Sequence, residues 1–221
     1  MHACVLNANT VCTDLSVCTL HSPLLLSSQV CQGFEKLEEP DRFAEAERGL
    51  RAALYHLKQL SQAWRDVLSC GIARRTMGTL LDAVVASTLD CVGALPLATT
   101  GGGAGGGGGA QRQQSQREQL HFLLGLVAGQ GPGNVFHDDL LRGSSADALA
   151  ERHVPSWQRL LLTVEVLAAR TVDDLGRRFQ GEGAPGARLL RNATDVKALA
   201  GIVQSSFPDS PGRTAFLQDL A

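Results

Sequence analysis

Leu50, Leu54, Leu57, Leu60, Trp64 and Leu68 follow one another at steps of four, three, three, four and four. That interval collects side chains on one side of a helix but scatters them over both faces of a strand. The stripe predicts an amphipathic helix of about 28 residues starting near Asp41, which can serve as its N-cap, with Glu45 and Glu47 placed where negative charge suits the helix dipole. Arg51, Lys58, Gln62 and Arg65 occupy the opposite, water-facing side. Gly71 reads as the glycine that ends this helix. A second stripe then runs through Ile72, Met77, Leu81, Val84, Val85, Thr88, Cys91, Val92 and Leu95. Two helices joined by so short a connection lie antiparallel or sharply bent against each other.

A third stripe, Trp157, Leu160, Leu161, Val164, Leu167, Ala168, Thr171, Val172, Leu175 and Phe179, predicts one helix over 155–180, opened by Pro155 and broken by "QGEGAPGARLL". Leu120, Leu123, Leu124 and Val127 mark a short helix that "GQGPGNVF" ends. Asp195 caps "VKALAGIV", and Ser210-Pro211 opens a last short helix with Phe216, Leu217 and Leu220. Between the second and third stripes lies "TTGGGAGGGGGAQRQQSQRE". A glycine run has the largest ordering entropy of any sequence and no side chains to offset it, so 99–117 is expected to be a flexible linker. It lacks the Lys-Ser/Thr ending of a phosphate-binding loop. Residues 1–37 show one apolar cluster, Leu24 to Leu26, and predict an irregular lead with at most one short helix. The expectation is an all-α fold: an antiparallel long-helix bundle over 38–221, with the 41–69, 71–95 and 155–180 helices side by side. The single Tyr and the aromatic content of 5% agree with helices rather than a β-sandwich.

A formal charge of −2, from 20 Lys and Arg against 22 Asp and Glu, gives no electrostatic drive towards nucleic acid or an anionic bilayer. No stretch has the roughly 18 consecutive apolar residues of a membrane span, and "SPLLLSSQV" is too short for a signal sequence, so a cytoplasmic protein is expected. Cys4, Cys12, Cys18, Cys31, Cys70 and Cys91 lack the spacing of a zinc knuckle or a redox pair and read as reduced thiols. The sequon Asn192 to Thr194 matters only in a secreted chain.

The sharpest enzymatic possibility is "FHDDLL", in which His137 and Asp138 form the dipeptide used by helical metal-dependent phosphohydrolases, with His121 and Asp173 or Asp174 as further ligands. The dipeptide follows "GPGN", so the alternative is a loop in which Asp138 or Asp139 caps a helix. None of the six histidines has the neighbours of a general base, and His56 sits beside the first stripe. Arg74-Arg75 and Arg177-Arg178 read as helix-end or carboxylate-paired residues. Trp64 and Trp157 lie on stripes and read as core rather than interface anchors. No catalytic, cofactor or metal residue is assigned.

The segment "LYHLKQLSQAWRDVLSCGIARRTMGTLLDAVV" resembles the C-terminal region of the zeste white ten family of kinetochore proteins, through Leu60, Trp64, Asp66, Val67 and Leu68 and then Met77, Gly78, Thr79, Leu80 and Leu81. "GPGNVF" at 131–136, "VPSW" at 154–157 and "DVKALAGIVQSSFPDSPGRTAFL" match in the same order, from about Glu38 onward, whereas 1–37 has no counterpart and the glycine tract replaces a shorter acidic linker. The resemblance implies a non-catalytic subunit at the end of a helical rod. It implies two roles: in the Rod and Zwilch complex at kinetochores, serving the spindle checkpoint and dynein recruitment, and in a tethering complex at the endoplasmic reticulum that receives Golgi-derived vesicles with SNAREs. The family has no known catalytic residue.

Overall fold

The computed structural model describes Phe34, Leu37, 39–95, 108–141, 143–180, 185–191, 196–207 and 209–220. Every regular element among these residues is helical: α1 (Pro40–Trp64), α2 (Cys70–Ala94), α3 (Gly108–Val135), α4 (Asp138–Leu141), α5 (Ala146–His153), α6 (Trp157–Ala168), α7 (Val172–Gln180), α8 (Pro185–Arg191), α9 (Val196–Ser206) and α10 (Pro211–Leu220). The all-α bundle expected from the stripes is what the chain forms. The irregular lead, the four N-terminal cysteines, the sequon and the Asp195 cap lie outside the described residues.

In α1 the stripe is buried as predicted, with Leu50, Leu54, Leu57 and Trp64 in the core. Its start is set by Pro40 at the first helical position rather than by Asp41, and it stops at Trp64 rather than Leu68. Gly71 belongs to the first turn of α2, behind Ser69 as N-cap, so the five residues 65–69 make the connection without a terminal glycine. α2 has the length and apolarity of a membrane span, but half of its most apolar window is buried: Met77, Leu81, Val84, Val85, Leu89 and Val92 pack inside the protein.

The largest departure is α3. Gly108–Val135 is one helix, so the expected linker 99–117 is helical from Gly108 onward, and the supposed stop "GQGPG" is helix as well. Two local signals were overruled, the first by helix propensity and the second by packing. Ala110, Gln111, Arg112, Gln113 and Gln114 are good helix formers that outweigh the last two glycines. Further along, Pro132 is buried inside the helix, its missing N–H accepted as the cost of a close helix crossing, and the Phe136 N–H closes the last turn on the Pro132 carbonyl at 2.8 Å. A β-carbon at Gly131 would stand 3.1 Å from Leu81 Cδ1, which shows how near α2 approaches. The end of α3 is held by Ser61, whose buried hydroxyl donates to the Val135 carbonyl at 2.7 Å.

Pairings between named residues set the directions. Phe43 meets Phe122 (ring centroids 5.9 Å apart) and Ser61 meets Val135, so α1 and α3 run the same way. Leu81 meets Gly131 and Arg74 meets Leu140, so α2 runs against them. Arg117 reaches Ala169 at the far end of α6, which returns antiparallel to α3. α2 packs directly on α1 and on α6, as the sequence suggested, but the main contacts of both α1 and α6 are with α3, which lies between them.

The 155–180 helix is two. α6 ends at Ala169 in extended backbone, and α7 restarts behind Thr171, whose hydroxyl accepts from the Asp174 N–H at 3.1 Å while the Asp174 carboxylate accepts from the Arg170 N–H at 3.1 Å. This reciprocal cap stops one helix and starts another. It also turns α7 so that Leu175 and Phe179 join Leu162, Val166, Leu199, Val203, Phe207 and Phe216 in a second apolar cluster, with Phe179 edge-on to Phe216 at 5.8 Å. The first cluster holds α1, α2, α3, α5 and the other side of α6, namely Trp157, Leu160 and Leu167. α6 is thus a wall common to two cores.

Candidate functional site

Asp138 and Asp139 open α4 with side chains outside the described ones; the other residues that suggested metal chemistry do not meet. His137 is half-buried at the α3–α4 junction, following Phe136. His121 lies two turns before Gly129 on α3, beside Arg117 and Arg170. The Asp174 carboxylate accepts from the Arg170 N–H at 3.1 Å and from Arg178 Nε at 3.4 Å, and the Arg170 bond first, with the Arg178 charge beside it, holds it below the ordinary carboxylate range. Among the described residues no three His, Cys, Asp or Glu side chains group so as to hold a metal ion. Cys70 and Cys91 are half-buried and form no disulfide with each other.

The arginine pairs act within the fold. Arg74 donates to the Leu140 carbonyl through Nε at 2.7 Å and through its terminal nitrogen, closing the end of the short α4. Arg178 pairs with Glu165 at 3.0 Å, tying α7 back to α6. Arg177 is solvent-facing, 3.9 Å from Asp174. Trp157 is 2% exposed and Trp64 is buried as well, both in the first core.

The blocks that carried the sequence resemblance form interhelical locks, the last of them within itself. In "MGTLLD", a β-carbon on Gly78 would come within 2.6 Å of both His153 Cβ and the His153 carbonyl, so glycine is what lets α5 rest on α2. Four residues on, Asp82 accepts from the Ser156 N–H at 2.8 Å and thereby fixes "VPSW" at the head of α6. "LSQAW" supplies Ser61 for the end of "GPGNV". In the last block Ser210 caps α10 by accepting from the Arg213 N–H at 3.2 Å, and Arg213 donates back to the carbonyls of Gln204 and Phe207.

Two of the clefts on the described surface are lined by charged side chains. One, of about 590 Å³, runs between α7 and α10 over Val172 and Phe216 with Asp173, Arg177 and Asp219 at its rim. The other, of about 360 Å³, lies between α3 and the α6–α7 junction, lined by Arg117, Glu118, His121, Arg170 and Arg178. Arg117 was hidden from sequence reasoning because it falls in the expected linker. It is 9% exposed, donates to the Ala169 carbonyl and lies 4.4 Å over the Phe207 ring, and burial lowers its pKa. Tyr55, Val67, Ile72 and Phe122 are the large apolar side chains left exposed among the described residues.

Fold and site together define a helical packing protein whose polar side chains cap, staple and space helices. Two curated proteins are similar in sequence to the chain. The chain is 25% identical over 213 residues to the Centromere/kinetochore protein zw10 homolog of Rattus norvegicus, across 96% of this chain and 25% of the relative, so the match extends into 1–37, contrary to the expectation that this segment has no counterpart. It is 24% identical over 191 residues to the protein of the same name from Mus musculus, across 86% of this chain and 22% of the relative. The chain thus spans about a quarter of the length of these relatives. No family model and no solved structure matches it.

Proposed function

We propose that this chain is a non-catalytic scaffold subunit, equivalent to the C-terminal part of a zeste white ten protein, with 38–221 as its folded unit at the end of a helical rod. In this reading it serves in the Rod and Zwilch complex at kinetochores, for the spindle checkpoint and dynein recruitment. It also serves at the endoplasmic reticulum in SNARE-linked tethering of Golgi-derived vesicles, and is otherwise cytoplasmic. The observation that carries the reading is collinear similarity over 96% of the chain combined with the use of the matching blocks as helix locks. A protein that needs rigidity to hold binding surfaces at fixed separation has to keep those locks, whereas an enzyme has to keep a reacting constellation.

Affinity purification of the tagged chain from dividing and interphase cells tests this. Co-purification of Rod- and Zwilch-type subunits, or of SNARE-bearing tether subunits, is expected. Recovery of neither set at endogenous expression overturns the proposal.

A further inference from the structure

We propose that 129–134, in the last turns of α3, is a local opening unit: it unwinds and rewinds while the elements on either side stay folded, and in doing so it uncovers Leu54 and Leu81. Four of these six residues, Gly129, Gly131, Pro132 and Gly133, are of the two types that form helix least readily. Pro132 has no N–H to offer the Ala128 carbonyl one turn back, so the helical ladder lacks a rung there. Gly131 has a packing reason, since Leu81 Cδ1 and Leu54 Cδ2 lie 3.1 and 3.9 Å from where its β-carbon would be. Gly129 and Gly133 have none. No neighbouring atom comes within 4 Å of a β-carbon at either, neither has a positive φ, and both are exposed. Each therefore lowers the helix population about four- to fivefold relative to alanine with nothing gained in fit.

The flanks are held far more firmly, and this confines the opening. Leu120, Leu123, Leu124 and Val127 are buried before the weak stretch, and Val135 and Phe136 after it. The far side is pinned twice more, by the Ser61 hydroxyl on the Val135 carbonyl and by the Arg74 guanidinium on the Leu140 carbonyl, each at 2.7 Å. Between these anchors Pro132 supplies the one buried side chain, because Gly131 has none and Gly129, Gln130 and Gly133 face solvent. A stretch with firm ends, a weak backbone and little buried apolar surface opens at a lower free energy than the whole fold. When it does, Gly131 moves off Leu81, and a seam that is closed in the folded state becomes reachable for the lifetime of the open one.

Native-state hydrogen exchange of the full chain, followed residue by residue by NMR at low urea concentrations, tests this. The amides of Gly129, Gln130, Gly133 and Asn134 are expected to be protected about tenfold less, or weaker still, than those of Leu123, Leu124 and Val127. Their rates should barely respond to urea, because a local opening exposes little surface. Gly129→Ala and Gly133→Ala, for which there is room, are each expected to raise protection across 129–134 about four- to fivefold. Gly125→Ala is the control. It makes the same change one turn earlier, also into open space, between the buried Leu124 and Leu126, and is expected to leave the protection of 129–134 unaltered. Exchange at 129–134 that follows urea as steeply as at Leu123 to Val127, no gain in protection from either alanine, or an equal gain from Gly125→Ala would each overturn the proposal.

Discussion

Gly78 shows how much one hydrogen atom decides. Any side chain there would have to displace backbone as well as the His153 Cβ, because the carbonyl of His153 stands at the same 2.6 Å. Gly78→Ala is therefore expected to destabilise the protein by about 1–3 kcal/mol or more, in spite of alanine's better helix propensity; a urea midpoint equal to that of the native chain would refute the contact. His153 itself offers a second reading of the same junction. Burial lowers its pKa, with Arg152, Arg74 and Arg75 acting in the same direction. Its folded pKa lies below the unfolded value of 6.5, so the unfolded chain takes up the proton first. Stability should be fully present above about pH 6.5 and fall as the pH drops through the folded value. Replacing His153 with Gln should flatten that part of a pH series of denaturation midpoints. Neither effect was legible in the sequence: "MGTLL" was recognisable as a block, but the partner that requires its glycine lies 75 positions away.

Helices were read correctly in kind, and their ends less well, for reasons that differ from one end to the next. The stripe over 155–180 was genuine at both halves, yet an unbroken apolar period cannot show a cap inside it. "TVDD" held that information, as a threonine followed three residues later by an acid, and the apolar signal masked it. Thr171→Ala should cost about 1 kcal/mol, and loosened amide-exchange protection should be confined to the start of α7. At α3 the error ran the other way. Gly and Pro were read as punctuation, whereas packing against Leu54 and Leu81 holds the helix through them. Ser61→Ala would leave the Val135 carbonyl buried without its donor, and a loss of about 1–3 kcal/mol is expected; a stability within error of the native chain would mean that another group reaches that carbonyl.

The all-α class followed from periodicity alone, because leucines at steps of three and four have no other economical arrangement. The order of packing did not follow, since α3 was hidden behind the glycine tract and so its place between α1 and α6 was lost, together with Arg117. Trp157 tests the resulting architecture. It is 2% exposed and lies on the side of α6 that faces the first core, so Trp157→Ala should destabilise the chain by about 3–5 kcal/mol. The second cluster should fail in the same transition, because Leu162 and Val166 stand on the reverse side of the same twelve-residue helix. Calorimetry that resolves two separate transitions would contradict that coupling. The shared wall has a mechanical corollary. Tension applied between the first four helices and the last three cannot be relieved by one group peeling away, since both grip opposite sides of a single strut. Until that strut itself gives way, the assembly should transmit force with little stretch, as a link in a taut line between two anchored bodies would have to do.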